Sequence, residues 1–175
     1  MTRSTIARNR AGAAGGGIET SNTLTLDTST ISGNIASAGG GGIFNALTGT
    51  STITNSTITL NIAGTGGGIE NTSIGPVHLG GSIVAGNMGD MLGLVLSNGF
   101  NVVGDVTGAI FVPQLSDQFG TLAFALDPKL GPLADNGGPT PTHALLSNSP
   151  AIDRSDPAAS PGTDQIGRAS CRERV

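Results

Sequence analysis

The chain has 175 residues, a formal charge of −4 and only 11% charged residues, and it contains neither Trp nor Tyr. This balance leaves no basic surface, so we expect no nucleic-acid partner. No stretch approaches the ~20 apolar residues of a membrane span, and we expect no secretory signal within these residues, because no charged region followed by an apolar one opens them.

A repeated phrase organises the first half of the chain. It starts with serine and closes with asparagine five residues later, at 4–9, 29–34, 56–61 and, in a variant form, 82–87. The intervals between these starts are nearly equal, and a Gly-Gly-Gly-Ile phrase keeps the same spacing at 15–18, 40–43 and 66–69. A period of this length is typical of a solenoid. We therefore interpret the 29 glycines as recurring turn residues of an ordered repeat.

Each period contains three short segments in which apolar and polar residues alternate. Alternation over a few residues with many β-branched side chains predicts strands, and Gly or Asn separates one segment from the next. Three strands in each coil predict an all-β parallel β-helix over residues 1–112, with about 25–27 residues per coil. Successive coils would stack ~4.8 Å apart, with Ile and Leu in inward columns.

The asparagine that closes each phrase falls in the same register in successive coils. Asn34, Asn61 and Asn87 are predicted to bond to nearby main chain or to the asparagine of the next coil, as an internal ladder at a turn. The alternative is a row of asparagines that binds a ligand.

Threonines recur at alternate positions of the third coil. The row comprises Thr50, Thr52, Thr54, Thr57 and Thr59. We interpret it as a solvated Ser/Thr face. Ice binding is the alternative, because regular Thr-x-Thr rows on a flat β-helix face suit it, but the neighbouring coils place Ala7 and Ser32 where Thr59 stands.

From residue 88 the period fades. Residues 91–104 predict one more, less regular coil, and 109–112 predict a strand that ends before Pro113. Residues 116–125 are expected to form a short helix or a cap. The remainder of 113–165 is rich in turn residues, and we expect an irregular, loop-rich C-terminal extension packed along the end or side of the coils.

Both ends of the chain are expected to be non-native. Residues 166–175 carry three of its eight basic residues and Cys171, the single cysteine. They can be encoded by a string that resembles a short-read sequencing adapter, so they are predicted to be an adapter-derived tail. The first phrase starts at Ser4, which leaves no room for a capping unit, so we expect the β-helix to be truncated at its N-terminus.

The phrases resemble a known family. The Gly-Gly-Gly-Ile and Ser-Thr-Ile-x-x-Asn repeats are similar to those of the pectin-lyase-like superfamily, whose fold is a right-handed parallel β-helix, and of chlamydial polymorphic outer-membrane proteins. The C-terminal phrases resemble the signature of bacterial choice-of-anchor Q proteins; they lie at 127–133, 135–140, 142–145, 149–153 and 163–165. The resemblance implies secretion, surface display through a sorting anchor beyond residue 165, and an adhesive role. It carries over no catalytic residue.

The repeat region offers few groups for chemistry. Its acids are Glu19, Asp27, Glu70, Asp90 and Asp105. Glu19 and Glu70 follow the glycine phrase two coils apart, roughly 10 Å, near the separation of an inverting glycosidase pair; isolated outward carboxylates are the plainer interpretation. His78 and His143 show no ligand spacing, and His143 is expected to make a structural hydrogen bond. We therefore predict no catalytic, cofactor-binding or metal-binding residues, and no cofactor.

Two functions follow as hypotheses. The leading one is a non-catalytic bacterial protein, extracellular or at the cell surface, whose β-helix acts as a stalk or adhesin-like surface that contacts cell-surface glycans or other extracellular material. Its only membrane contact would be an anchor absent from this chain. The alternative is a fragment of a polysaccharide lyase or glycoside hydrolase whose active-site coils are missing.

Overall fold

A computed structural model describes residues 1–154 of the chain, and within them every regular element is a β-strand. The strands are β1 (Thr5–Ala7), β2 (Arg10–Ala11), β3 (Ile18–Thr20), β4 (Thr23–Asp27), β5 (Thr30–Ser32), β6 (Ile35–Ala36), β7 (Ile43–Asn45), β8 (Thr50–Thr54), β9 (Thr57–Thr59), β10 (Ile69–Asn71), β11 (Val77–Gly80), β12 (Ile83–Val84), β13 (Met91–Gly99), β14 (Val102–Val103), β15 (Ala109–Val112), β16 (Gln118–Phe119), β17 (Leu130–Ala134) and β18 (Thr142–Leu145). The predicted tail, 166–175, and the phrase at 163–165 lie outside the described residues.

Six parallel strands form the first sheet, in the order β1-β5-β9-β12-β14-β16. Thr5 pairs with Thr30, and Thr30 pairs with Thr57, so the pairing offsets are the steps of the serine phrase. Consecutive strands of this sheet are therefore one repeat apart in sequence. The repeat period thus becomes the register of a parallel sheet.

The second large sheet has eight strands and two arms that meet at β13. The glycine arm comprises β3, β7 and β10, and the threonine arm comprises β4, β8, β11 and β15. β13 pairs with β10 through Met91 and Leu92 and with β11 from Val95 onward, so one strand turns the corner between the arms. The all-β class and the stacking of parallel strands are confirmed, and this arrangement is consistent with a solenoid.

The apolar residues of every strand set form one continuous core between the sheets. Alternate residues point inward, and they are buried in coil after coil: Leu24, Leu26, Ile31, Ile43, Ile53, Ile58, Ile69, Val77, Leu79, Val84, Met91, Val95 and Val103. Burying one such side chain contributes about 1.5–3 kcal/mol. Because each column continues through the stack, the coils stabilise their neighbours rather than folding independently.

The last coils are shorter than the sequence indicates. Ile83 pairs with Val102, and Val102 pairs with Gln118, so both steps are shorter than the step from Thr57 to Ile83 in the same sheet. Two short coils therefore follow residue 83, where one irregular coil was predicted. Of the two forms expected at 116–125, a short helix or a cap, the helix is wrong: this segment contains β16 and continues the first sheet, because its backbone pairs with β14.

Glycine permits the shortening. Gly93 has φ +89°, and a Cβ there would collide with the carbonyl oxygen of Asn71 in the preceding coil. The earlier coils place a loop between their two arms, at 46–49 and 72–76, whereas β13 passes through this corner as a continuous strand. The corner of this coil thus needs a residue with no side chain.

The C-terminal segment returns along the first sheet. β17 and β18 pair antiparallel. The Thr5 hydroxyl donates a hydrogen bond to the carbonyl of Pro141 (2.6 Å), and the Gln118 side-chain amide donates to that of Pro150 (2.8 Å). This segment therefore contacts both the first and the last strand of the sheet.

Replacing Gly93 with alanine is predicted to destabilise the protein by at least about 2 kcal/mol, because alanine is strained at positive φ and collides with Asn71. Gly12→Ala is the matched control, since a Cβ at Gly12 meets nothing within 4 Å. Urea unfolding followed by far-UV circular dichroism measures both, as the chain lacks Trp and Tyr. Equal stability of the two variants would contradict the role of Gly93.

Candidate functional site

An asparagine ladder runs along one corner of the stack. The main-chain and side-chain N–H groups of Asn9 donate to Oδ1 of Asn34 (both 3.0 Å), and those of Asn34 donate to Asn61 (both 2.9 Å). Asn61 donates in the same way to Asn87 (3.0 and 2.9 Å). Asn34 and Asn61 are completely buried. The predicted internal ladder is confirmed, and burial leaves these amides inaccessible to a ligand.

A second ladder, which the sequence analysis missed, lies at the other end of the first-sheet strands. The backbone N–H of each phrase serine donates to the hydroxyl of the next one, from Ser4 to Ser29 to Ser56 to Ser82 (3.1 Å each). Each of the last three hydroxyls donates back to a carbonyl two residues earlier in its own coil. The serine that opens every repeated phrase was the available signal.

The threonine arm presents a flat, hydroxyl-bearing outer surface. Thr23 lies opposite Thr50, and Thr25 lies opposite Thr52, on neighbouring parallel strands. Their side chains are exposed or half-exposed, while the alternate residues of both strands are buried. Neighbouring strands are about 4.8 Å apart, so the hydroxyls form a small array. We name these four residues the threonine face.

The threonine face is bounded in the next coil. His78 lies opposite Thr52, and Gly80 lies opposite Thr54. Beyond them the outward positions become apolar: Leu96 lies opposite His78, and Leu94 opposite the exposed Ile110. The array of hydroxyls therefore spans two strands.

The predicted five-threonine surface is wrong. Thr50, Thr52 and Thr54 lie on the threonine arm, but Thr57 and Thr59 belong to the first sheet and are only 6% and 3% exposed. A turn at Asn55, where φ is +48°, directs the chain from one sheet to the other. The five hydroxyls do not share a plane, so the geometry assumed for ice binding is absent and Thr57 and Thr59 are not solvated.

His143 joins the C-terminal segment to the first sheet. Its Nδ1 lies 2.7 Å from the carbonyl oxygen of Gly131, and its Nε2 lies 2.8 Å from the hydroxyl of Ser32, in a buried setting. A carbonyl only accepts, so Nδ1 carries a proton; when the ring is neutral, Ser32 donates to Nε2. The predicted structural hydrogen bond is confirmed, with a second partner 111 residues away.

The two carboxylates of the glycine arm differ in burial and in their contacts. Glu19 and Glu70 both lie opposite Phe44, which separates them by one strand. Glu19 is exposed, whereas Glu70 is 8% exposed and accepts a hydrogen bond from the Thr65 hydroxyl (2.8 Å). Glu70 therefore serves an internal contact, unlike a carboxylate poised beside a shared groove.

Asp27 lies at the border of the threonine face. Partial burial acts to raise the pKa of its carboxyl, but hydrogen bonds from Thr54, Asn55 and Thr28 and the charge of Arg3 together hold that pKa below its usual value. Its Oδ1 accepts from Thr54 (2.8 Å) and Asn55 (3.1 Å). The charge of Asp27 is thus turned to the corner of the coil.

A cleft of about 410 Å³ lies at the far end of the stack, beside Asp90, Asp105 and Asp127. Burial raises the pKa of the Asp90 carboxyl, and the charge of the neighbouring Asp105 adds to the rise; three hydrogen bonds from N–H groups of Asn87 and Asp105 act in the opposite direction.

Among residues 1–154, no three His, Cys, Asp or Glu side chains lie close enough together to hold a metal ion. Within the same residues, no helix is long or apolar enough to cross a membrane.

Comparisons with protein-family models, with curated proteins and with solved structures found no match for the chain. The threonine face is the surface best suited to contact a ligand, because its hydroxyls are ordered by the strands and open to solvent.

Asn61→Ala is predicted to destabilise the protein by at least about 3 kcal/mol, because it leaves the main-chain and side-chain N–H groups of the buried Asn34 without their acceptor and removes the side-chain bond to the carbonyl of Ile31. Asn9→Ala, at the exposed end of the same ladder, should cost about 1 kcal/mol or less, since water replaces its contacts. Urea unfolding measures both variants. Similar losses at the two positions would contradict the ladder as a stabilising element.

Asp27 is predicted to stabilise the fold at neutral pH and to lose this contribution in acid. Its folded pKa lies below the unfolded value, so the stabilisation is present above the usual pKa of about 3.9 and disappears as the pH falls through the folded value. Asp27→Asn should therefore be less stable than the parent at pH 7, and this difference should shrink as the pH falls through the folded pKa of Asp27. The exposed Asp153→Asn is the control; a difference for Asp27→Asn that is independent of pH would refute the prediction.

Proposed function

We propose that this chain is part of a right-handed parallel β-helix of a secreted or surface-displayed bacterial protein. In this proposal the stack is a non-catalytic stalk, and its outer surface is adhesive and contacts glycans. The bacterial origin and the surface location rest on the resemblance of the phrases at 127–133 and 149–153 to the choice-of-anchor Q signature. A sorting anchor would provide the only attachment to a membrane.

The ladders are the observation that carries the stalk proposal. They bond each coil to the next through buried side chains, in addition to the main-chain pairing of the sheets. Six strands of the first sheet at about 4.8 Å spacing give a column roughly 24 Å long. A column crosslinked at two corners of every early coil resists bending, which a stalk requires.

The threonine face supports the glycan contact. Each hydroxyl both donates and accepts, as sugar hydroxyls do, so a regular array can pair with several of them. The four positions carry no charge, so the surface can approach an uncharged sugar without an unpaired ion being desolvated. The contact is expected to be shallow and dependent on several hydroxyls at once.

The proposal predicts that the chain binds immobilised glycans on an array and that Thr25→Val/Thr52→Val weakens this binding at least about tenfold. Valine keeps the shape and the strand preference of threonine but removes the hydroxyl. The matched control is Thr48→Val, an exposed threonine in the corner loop beside the arm. Circular dichroism should show an unchanged fold for all three proteins.

Two outcomes would overturn parts of the proposal. Binding that is unaffected by the double substitution would exclude the threonine face as the contact. Release of new reducing or unsaturated sugar ends from a polysaccharide would contradict the non-catalytic role and favour the lyase or hydrolase alternative.

A further inference from the structure

The two ladders have a direction. In the asparagine ladder, each residue donates two N–H groups to the asparagine of the following coil, and its own Oδ1 accepts two N–H groups from the asparagine of the preceding coil. In the serine ladder, each backbone N–H likewise donates toward the following coil. The first member of each ladder therefore has an oxygen atom that can accept a hydrogen bond from a coil before it. The last member must accept hydrogen bonds without donating any to a further coil.

A carboxylate closes each ladder at the far end. Oδ1 of Asp90 accepts both N–H groups of Asn87 (2.8 and 2.9 Å), and its Oδ2 accepts the backbone N–H of Asp105 (2.8 Å). The serine ladder passes from Ser82 to Asn101 and ends in the same way at Asp117. A carboxylate has no N–H to donate, so neither ladder can continue past it.

An aromatic pair ends the apolar columns at the same end, with Phe111 partly buried and Phe119 46% exposed. The inward columns finish with Phe111, opposite Val95, and Phe119, opposite Val103. The two rings meet edge to face with centroids 5.7 Å apart. Such a pair covers more of the last coil's interior than the valines beneath it.

Among the described residues, the ladders of the first coil have no such carboxylate. Asn9 is exposed, and within the described part of the chain no donor reaches its Oδ1 or the hydroxyl oxygen of Ser4. Ile6 and Ile18 pack on the core but are only partly buried. β1 and β3 also end their sheets, so each leaves one edge unpaired.

We propose that the edge of the first coil is a docking surface for one further β-coil of the same repeat, in parallel register, with serine and asparagine five residues apart. The N–H groups of its asparagine would donate to Oδ1 of Asn9, and the backbone N–H of its serine would donate to the hydroxyl of Ser4. Its inward isoleucine would cover Ile6. The main-chain carbonyl of that isoleucine would accept the second side-chain N–H of Asn9, as the carbonyl of Ile6 accepts a side-chain N–H of Asn34.

A second copy of this chain does not satisfy this edge. The end of a copy that would present ladder donors in parallel register is closed by Asp90 and Asp117, which offer oxygen atoms where the docking edge needs N–H groups. Two first-coil edges would each present acceptors to the other. The ladder polarity therefore selects a coil that still carries open donors.

The test adds such a coil to the chain. Residues 1–3 are replaced by a copy of residues 29–55, so that the copied serine and asparagine precede Ser4 and Asn9 by one repeat period. The extended protein should show an unfolding constant at least about tenfold smaller than the parent, a larger urea dependence because more surface is buried, and slower hydrogen exchange at residues 4–9.

Two controls make the result specific. A Gly/Ser segment of the same length at the same place should leave the unfolding constant unchanged. Asn34→Ala in the added copy should raise the unfolding constant of the extended protein about fivefold. A gain equal to that of the Gly/Ser segment would overturn the proposal. Self-association of the unextended chain in sedimentation would also overturn it, because a second copy would then satisfy the edge.

Discussion

Buried amides that must be hydrogen-bonded between coils constrain the whole structure. Asn34 and Asn61 are inaccessible to water, so each needs partners on the coil before it and the coil after it. Those partners exist only if successive coils align residue for residue at the phrase end. A slip by one residue would leave buried N–H groups unpaired and turn the inward isoleucines outward. The ladders thus select one register among the many that a Gly- and Thr-rich chain could adopt.

The constraint fixes the register of the strands but leaves the length of the connections between them free to vary. The early steps of the first sheet, such as that from Thr30 to Thr57, are longer than the later steps from Ile83 to Val102 and on to Gln118, yet the strands continue in register. Shortening takes place between strands, where β13 turns a corner without a loop and a glycine accepts the close approach of the preceding coil. The last coils are therefore shorter than the early ones, and the ladders end there in carboxylates.

The division of each coil into inward, corner and outward positions bears on the proposed function. Inward and corner positions are committed to the core and the ladders, so recognition falls to outward positions of the sheets. The first sheet is partly occupied, because the C-terminal segment bonds to Thr5, Ser32 and Gln118. The threonine face is open, uncharged and held rigidly by the strands beneath it. An exterior of this kind suits contacts made by repetition of weak interactions rather than by a preorganised catalytic group.

Much of this architecture could be predicted from local and periodic features. The repeat period, the parallel stacking, the asparagine ladder and the structural role of His143 follow from residues that recur at fixed spacing or from hydrogen-bonding capacity. The threonine face was predicted in part: its members Thr50 and Thr52, like Thr54 beside them, point outward as alternation requires. The serine ladder appears in the sequence as a serine that recurs at the repeat period. Nothing in the sequence distinguishes a serine that accepts the N–H of a neighbouring coil from a solvated one.

The tertiary structure alone decided which sheet each threonine joins, how short the last coils are and what covers the first sheet. Thr57 follows Thr54 by three residues, yet the turn between them places the two side chains on different sheets. Ser32 meets His143 across 111 residues, and Asp90 becomes the end of a ladder because the chain beyond it turns a tighter corner. Periodicity determines how a coil meets its neighbour, since that contact repeats. Closure of the stack and burial by a distant segment occur once, so no repeated pattern in the sequence reports them.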